Sequence, residues 1–257
     1  MIGFLNKTLN PELIRNHAKT VMLIWALFIL VMPTGIMLWL FLFMGSFTII
    51  DLHLSERSAL LTDTFLSIIF FLQHSILVRP AIKRKLAKFI SEEYYGAFYG
   101  FTSGIFLLPV LIFWQKSSTL IASADGIVYW MLRVLFFLCF AGFIWGSKSL
   151  GSFDMMGVKR LLRYISNRPG KSQQIMAKGP YRWVRHPLYL FLIVLIWSCP
   201  TLTLDRLIFN ILWTVWIVIG THLEDRDLHR EFGSQYHEYS SQVPMLIPYR
   251  IPRDKPV

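Results

Sequence analysis

Six apolar runs divide this chain, and most are close to the roughly 20 residues needed to cross a hydrocarbon core. They cover residues 21–47, 59–78, 96–114, 127–146, 188–199 and 207–222. In lipid every backbone donor and acceptor must be satisfied inside the protein, so runs of this length fold as helices. The fifth run is too short to span alone, and Pro200-Thr201-Leu202-Thr203 after it reads as a turn. The last two runs are therefore expected to form a helical hairpin that need not reach the far surface. The expected fold is all-α: a polytopic bundle of about six membrane helices including that hairpin, plus an amphipathic helix on the surface. With 54% hydrophobic residues and a mean hydropathy of +0.50, the composition agrees.

A net charge of +11 raises nucleic acid as a partner, but the distribution argues for membrane lipids instead. Lys7, Arg15 and Lys19 precede the first run; Arg79, Lys83, Arg84, Lys85 and Lys88 follow the second. Lys159, Arg160, Arg163, Arg168, Lys171, Lys178, Arg182 and Arg185 fill the connection after the fourth, and Arg250, Arg253 and Lys255 lie near the end. The alternate loops, 51–57, 116–125 and 203–206, carry few positive residues. This is the positive-inside pattern, which puts both termini and the basic loops in the cytoplasm of a multi-pass protein. Most of these cations are then anchors facing acidic lipid. The first run is longer than a signal-peptide core and lacks a small-residue cleavage pattern, so no cleavable signal is expected.

Two organisational units are expected: residues 1–146 with four membrane helices, and residues 147–257 with a connector, the hairpin and a tail. The connection 147–179 is long enough to be functional or unstructured. Its first half, around Phe153-Asp154-Met155-Met156-Gly157, reads as interfacial and its second half as solvated loop. Residues 224–239 read as the amphipathic helix, with Leu228, Phe232, Tyr236 and Tyr239 at helical spacing. Cys139 and Cys199 fall in apolar runs without companion ligands, so neither a disulfide nor a metal site is expected. No P-loop and no internal repeat is found.

Two clusters of ionisable groups lie at the same membrane boundary, Arg185-His186-Pro187-Leu188-Tyr189 and Glu224-Asp225-Arg226-Asp227-Leu228. A charge there costs free energy unless it is paired, hydrated or used, which makes the two clusters a candidate site. Each residue alone has a plainer reading. Arg185 can be a snorkelling anchor, His186 a hydrogen bonder at a helix end, and the tyrosines members of an aromatic belt. Within the second run, Gln73-His74-Ser75 points either to a cavity or to buried interhelical hydrogen bonds.

Taken in order, Gly179-Pro180-Tyr181, the Arg-His-Pro cluster, the acidic cluster, Phe232-Gly233, Tyr236, Tyr239 and Val243-Pro244 resemble the C-terminal half of the membrane methyltransferases. That superfamily includes isoprenylcysteine carboxyl methyltransferase and phospholipid methyltransferases. Gln73-His74-Ser75, Arg79-Pro80-Ala81-Ile82-Lys83 and Phe153-Asp154-Met155-Met156-Gly157 are similar to its nurim-like branch, which contains the bacterial methanethiol S-methyltransferases. The resemblance covers most of the chain from about Leu61 onward.

It implies S-adenosylmethionine as cofactor, in a pocket at the cytoplasmic end of the bundle built from Tyr181, Arg185, His186, Pro187, Tyr189, Glu224, Asp225, Tyr236 and Tyr239. Arg185 would pair with the methionyl carboxylate. Glu224 would accept from amino or ribose hydroxyl groups, and the tyrosines would offer stacking or cation–π surfaces. Pro187 would start a helix and leave backbone donors near His186 free for an anion. The implied acceptor is a small thiol such as methanethiol, or alternatively an isoprenylcysteine-type or other lipidic substrate, entering from the bilayer. A thiol must lose its proton, with His74, His186 or Asp154 as candidate bases and Arg185, Lys159 and Arg160 favouring the thiolate.

The chain departs from the family pattern in three places. Asp225 replaces the second of a glutamate pair, Phe191 stands where many relatives carry glycine, and Glu93 is followed by Tyr94-Tyr95 rather than arginine and serine. Phe191 would crowd the pocket. Two rival classes remain, a non-catalytic nurim-like scaffold and a transporter; no repeat or pair of broken helices supports the transporter.

Overall fold

The computed structural model of the protein describes residues 11–150, 157–166 and 177–250. Among them, chain order runs α1 (Pro11–Met44), α2 (Glu56–Val78), α3 (Pro80–Leu86), α4 (Glu92–Ile112), β1 (Leu120–Ser123), α5 (Gly126–Ser149) and α6 (Val158–Ile165). A 3₁₀ turn (Gly179–Arg182) follows, then α7 (Pro187–Trp197), β2 (Thr201–Thr203), α8 (Leu204–Phe232) and α9 (Ser234–Gln242). Helix ends follow local chemistry. Ser55 caps α2 by accepting from the Ser58 amide. Pro80 holds Arg79 in an extended conformation, φ −69° and ψ 134°, which stops α2 and starts α3. Pro187 occupies the first turn of α7, where a missing N–H costs nothing.

Among the described residues five helices are long and apolar enough to span a membrane: Lys19–Met44, Glu56–Val78, Glu92–Ile112, Gly126–Ser149 and Leu204–Phe232. The 11-residue α7 is roughly 16 Å long, about half of the hydrocarbon thickness. Large apolar side chains such as Trp25, Leu61, Phe65, Trp130 and Leu138 remain exposed on the outside of the bundle. In an integral membrane protein this is the surface that lipid covers.

Inside, Phe41, Phe70, Trp114, Phe136, Phe209 and Trp213 form the main core. Helix α4 packs on α1 and α2, α7 on α5, and α8 on α2 and α7. The segments after residue 147 thus lie against the leading helices. The α5–α7 approach depends on glycine: a Cβ at Gly142 would lie 2.6 Å from the Phe191 ring, and one at Gly146 2.8 Å from Leu188. Phe191 therefore fills a notch in α5.

Three features differ from the sequence expectation. Residues 224–239 are not one surface helix. Helix α8 continues without interruption from the membrane through Glu224 and Asp225 to Phe232, and the chain breaks at Gly233, whose φ of 56° suits glycine. The hydrophobic run ends at His222, but nothing there stops helical hydrogen bonding, so a change of solvent was mistaken for a change of element. The turn after α7 is a short strand, β2, paired antiparallel with β1. The basic stretch after α2 contains the helix α3.

The end of the bundle opposite the basic loops is closed by buried charge. Arg206 is fully buried and donates to the carbonyls of Phe41 (2.8 Å), Leu42 (3.4 Å) and Ile196 (3.2 Å). It thereby caps the C-termini of both α1 and α7, where a cation meets unpaired carbonyls and the negative end of the helix dipole. Arg133 donates to the Phe43 carbonyl beside it. Asp205 accepts from Trp114 Nε1 (2.8 Å) and the Ser117 amide (3.0 Å), fixing the loop after α4. Replacing Arg206 with leucine orphans these carbonyls. We expect Arg206→Leu to lower stability by about 3 kcal/mol in a detergent unfolding titration, with Arg206→Lys losing less.

Candidate active site

At the basic end, the residues before α7 form an extended segment held by the chain that follows α9. The amides of Arg185 and His186 donate to the carbonyls of Pro244 (2.8 Å) and Met245 (3.1 Å). The Arg185 side chain crosses to α8, where Nε and Nη2 each donate to one oxygen of Asp225 at 2.9 Å. Nη1 donates to the carbonyls of Ser240 (3.0 Å) and Val243 (2.6 Å). Burial works against the guanidinium charge, but the Asp225 carboxylate outweighs it and holds the pKa above the usual arginine value.

Asp225 is a hub. Besides Arg185 it is joined by His186 Nε2 at 3.1 Å and by the Tyr236 hydroxyl, which donates at 2.6 Å. Burial, then the Asp225 charge, pushes the Tyr236 phenol pKa up. Tyr239 donates to the Tyr181 carbonyl (2.7 Å), tying α9 to the 3₁₀ turn. Sequence-level candidates thus come together, but their polar atoms are spent on one another. This differs from the sequence expectation in two respects. Arg185 does not present its fork to a ligand carboxylate, because Asp225 already fills it. The backbone donors of Arg185 and His186 are not free for an anion, because the Pro244-Met245 segment occupies them.

Glu224 is arranged otherwise. One turn inside the α7 start, the Tyr189 hydroxyl donates to Glu224 Oε2 at 2.5 Å, and Oε1 forms no hydrogen bond among the described residues. Tyr189 stacks on His186 at 5.8 Å between ring centroids. Burial raises the Tyr181 phenol pKa and the Glu224 charge adds to it. Pro187 is buried at the start of α7.

His74 lies one turn before the end of α2 and faces α4. Its Nε2 is 2.6 Å from the Tyr99 hydroxyl and its Nδ1 3.3 Å from Ser103 Oγ. Gln73 donates to Thr102 (3.2 Å), and Ser75 accepts from Trp216 Nε1 at 3.0 Å. The three polar residues are therefore used in interhelical hydrogen bonds, with Gln73 Oε1 left buried and unpaired. Arg79 donates from Nη1 to Asp227 on α8 at 2.9 Å. Of the cations expected to favour a thiolate, Arg160 pairs with Glu92 at 2.7 Å and Arg185 with Asp225. Asp154 lies outside the described residues.

Sequence reasoning missed Tyr99 and treated Arg79 only as an anchor. Tyr99 carries no local signal, because its partners are 25 residues or more away. Arg79 beside Pro80 at a helix end did mark a special position.

No protein-family model matches the chain. Among curated proteins, methanethiol S-methyltransferase 2 of Bradyrhizobium diazoefficiens is 30% identical over 190 residues, covering 74% of this chain and 73% of that one. The methanethiol S-methyltransferase of a Pseudomonas species is 32% identical over 195 residues, covering 75% and 74%. The chain belongs to the nurim-like family of membrane methyltransferases. A nurim homolog of Drosophila melanogaster is also similar, 24% identical over 178 residues and covering 65% and 68%. No solved structure matches.

The hub makes its own prediction. Asp225→Asn leaves Arg185 buried without its counter-charge, and we expect a loss of about 3 kcal/mol in thermal unfolding in detergent. Tyr236→Phe removes a single donor and should cost about 1 kcal/mol.

Proposed function

We propose that this chain uses S-adenosylmethionine to methylate methanethiol to dimethyl sulfide, at the cytoplasmic end of a bundle seated in a bacterial inner membrane with both termini inside. The carrying observations are two hydrogen-bonded pairs, Glu224 with Tyr189 and His74 with Tyr99, in a chain whose relatives are named for that reaction. The positive-inside charge pattern supports the orientation.

The residues present fit the cofactor. Glu224 keeps one carboxylate oxygen without a hydrogen-bond partner among the described residues, suited to an ammonium or a ribose hydroxyl. The rings of Tyr181, Tyr189 and His186 offer aromatic surface beside it for adenine or for cation–π contact. When bound, S-adenosylmethionine supplies a methyl group activated by its sulfonium charge.

The protein's own work is to bind, to exclude water and to move one proton. The rings of Phe70 and Trp216 pack on His74, with Trp213 behind them, and keep water from the base. Arg185 and Arg160 are engaged by Asp225 and Glu92, and the thiol proton has to be taken up by a base. His74 is the base in this reading, reached through the Tyr99 hydroxyl that touches its Nε2. His186, held on Asp225, positions α7 instead. A small volatile thiol enters from the lipid side.

In detergent-purified protein, Glu224→Gln should weaken S-adenosylmethionine binding measured by calorimetry. His74→Gln should leave that binding intact while dimethyl sulfide in the headspace falls by roughly 100-fold or more. Full turnover in the His74 variant would exclude it as base. No heat with S-adenosylmethionine on the wild-type protein would leave the scaffold reading, to which the nurim homologs belong, as the better one.

A further inference from the structure

An amino acid head carries an ammonium and a carboxylate on one carbon, so a site that grips it presents an anion and a cation side by side. Resting on the S-adenosylmethionine reading above, Glu224 supplies the anion, and Arg185, already filled by Asp225, is excluded as the cation. Another guanidinium reaches α8 at Asp227, three residues after Glu224. Arg79 closes α2, and its Nε donates to the Ser75 carbonyl at 3.2 Å while Nη1 donates to Asp227 at 2.9 Å. Nη2 makes no hydrogen bond among the described residues. The side chain is 23% exposed, so it is reachable without being freely solvated.

Asp227 lies three residues after Glu224 on α8, and side chains at that spacing share a helix face. Glu224 also accepts from Tyr189 of α7, so an open acceptor and, at Asp227, an open donor meet one face of α8, the donor being supplied by a different helix.

We infer that Arg79 and Glu224 form a clamp for the amino acid head of the methyl donor, with Arg79 Nη2 taking the carboxylate and Glu224 Oε1 the ammonium. Asp227 is the positioning residue: by occupying Nη1 and leaving Nη2 open, it aims the planar fork. A lysine cannot keep both contacts in that geometry. Arg79 is held at the end of α2 by Pro80, so the clamp also draws α2 and α8 to the same ligand.

Calorimetry with two ligands tests this on the full chain in detergent. S-adenosylmethionine carries the carboxylate; its decarboxylated form lacks it and keeps the amine. Arg79→Gln should weaken S-adenosylmethionine by roughly 10- to 100-fold and leave the decarboxylated ligand unchanged. Glu224→Gln should weaken both. Arg79→Lys, a second variant if the glutamine form does not fold, should show a smaller loss confined to S-adenosylmethionine. Equal losses for both ligands in an Arg79 variant, or no loss for either, would overturn the clamp while the methyltransferase reading stands. Absence of binding by the wild-type protein would remove both together.

Discussion

An arginine at a membrane boundary must find an anion or water, and Arg185 finds Asp225. Four of its hydrogen bonds reach that carboxylate and two backbone carbonyls of the closing segment, so one side chain joins the approach to α7, the end of α8 and the chain beyond α9. Paired charges are tolerated where water is scarce only when their remaining donors and acceptors are also satisfied. His186 and Tyr236 complete that requirement on the Asp225 side. With this hub in place, Glu224, one residue earlier on the same helix, is turned to a different neighbourhood and keeps an oxygen to spare. Structural duty and ligand-binding capacity are thus divided between adjacent carboxylates.

The other end of the bundle obeys the same rule with a different solution. Among the described residues Arg206 hydrogen-bonds no carboxylate and instead collects the orphan carbonyls of two helix ends, stacked between Phe41 and Phe209. That closes the short α7 against α1 before it reaches the far side. The basic end is left as the one where charged groups converge from α2, α4, α7 and α8.

Much of this was legible in the chain. Long apolar runs dictated the spans, and the asymmetry of lysines and arginines separated the two ends. Pro187 marked a helix start, and the Arg-His-Pro and acidic clusters, picked out by their charge, meet at one end of the bundle. Less legible were the roles inside it. Arg185 looked like a ligand for a carboxylate because arginine commonly is one; that Asp225 is already there depends on α8 continuing rigidly past the hydrophobic run. Phe191 looked like an obstruction in the pocket, whereas Gly142 provides a notch for it in α5. Gln73-His74-Ser75 left two readings open, and the facing side chains of Thr102, Ser103, Tyr99 and Trp216 decided for hydrogen bonding.

Taken alone, the sequence determined the solvent, the membrane runs and the family, because hydropathy, charge asymmetry and proline placement are local properties. Only the tertiary structure decided which polar atoms remain open. Whether a guanidinium or carboxylate is available to a ligand depends on what faces it across the bundle, from residues 25 to 148 positions away, and no local pattern records that distance.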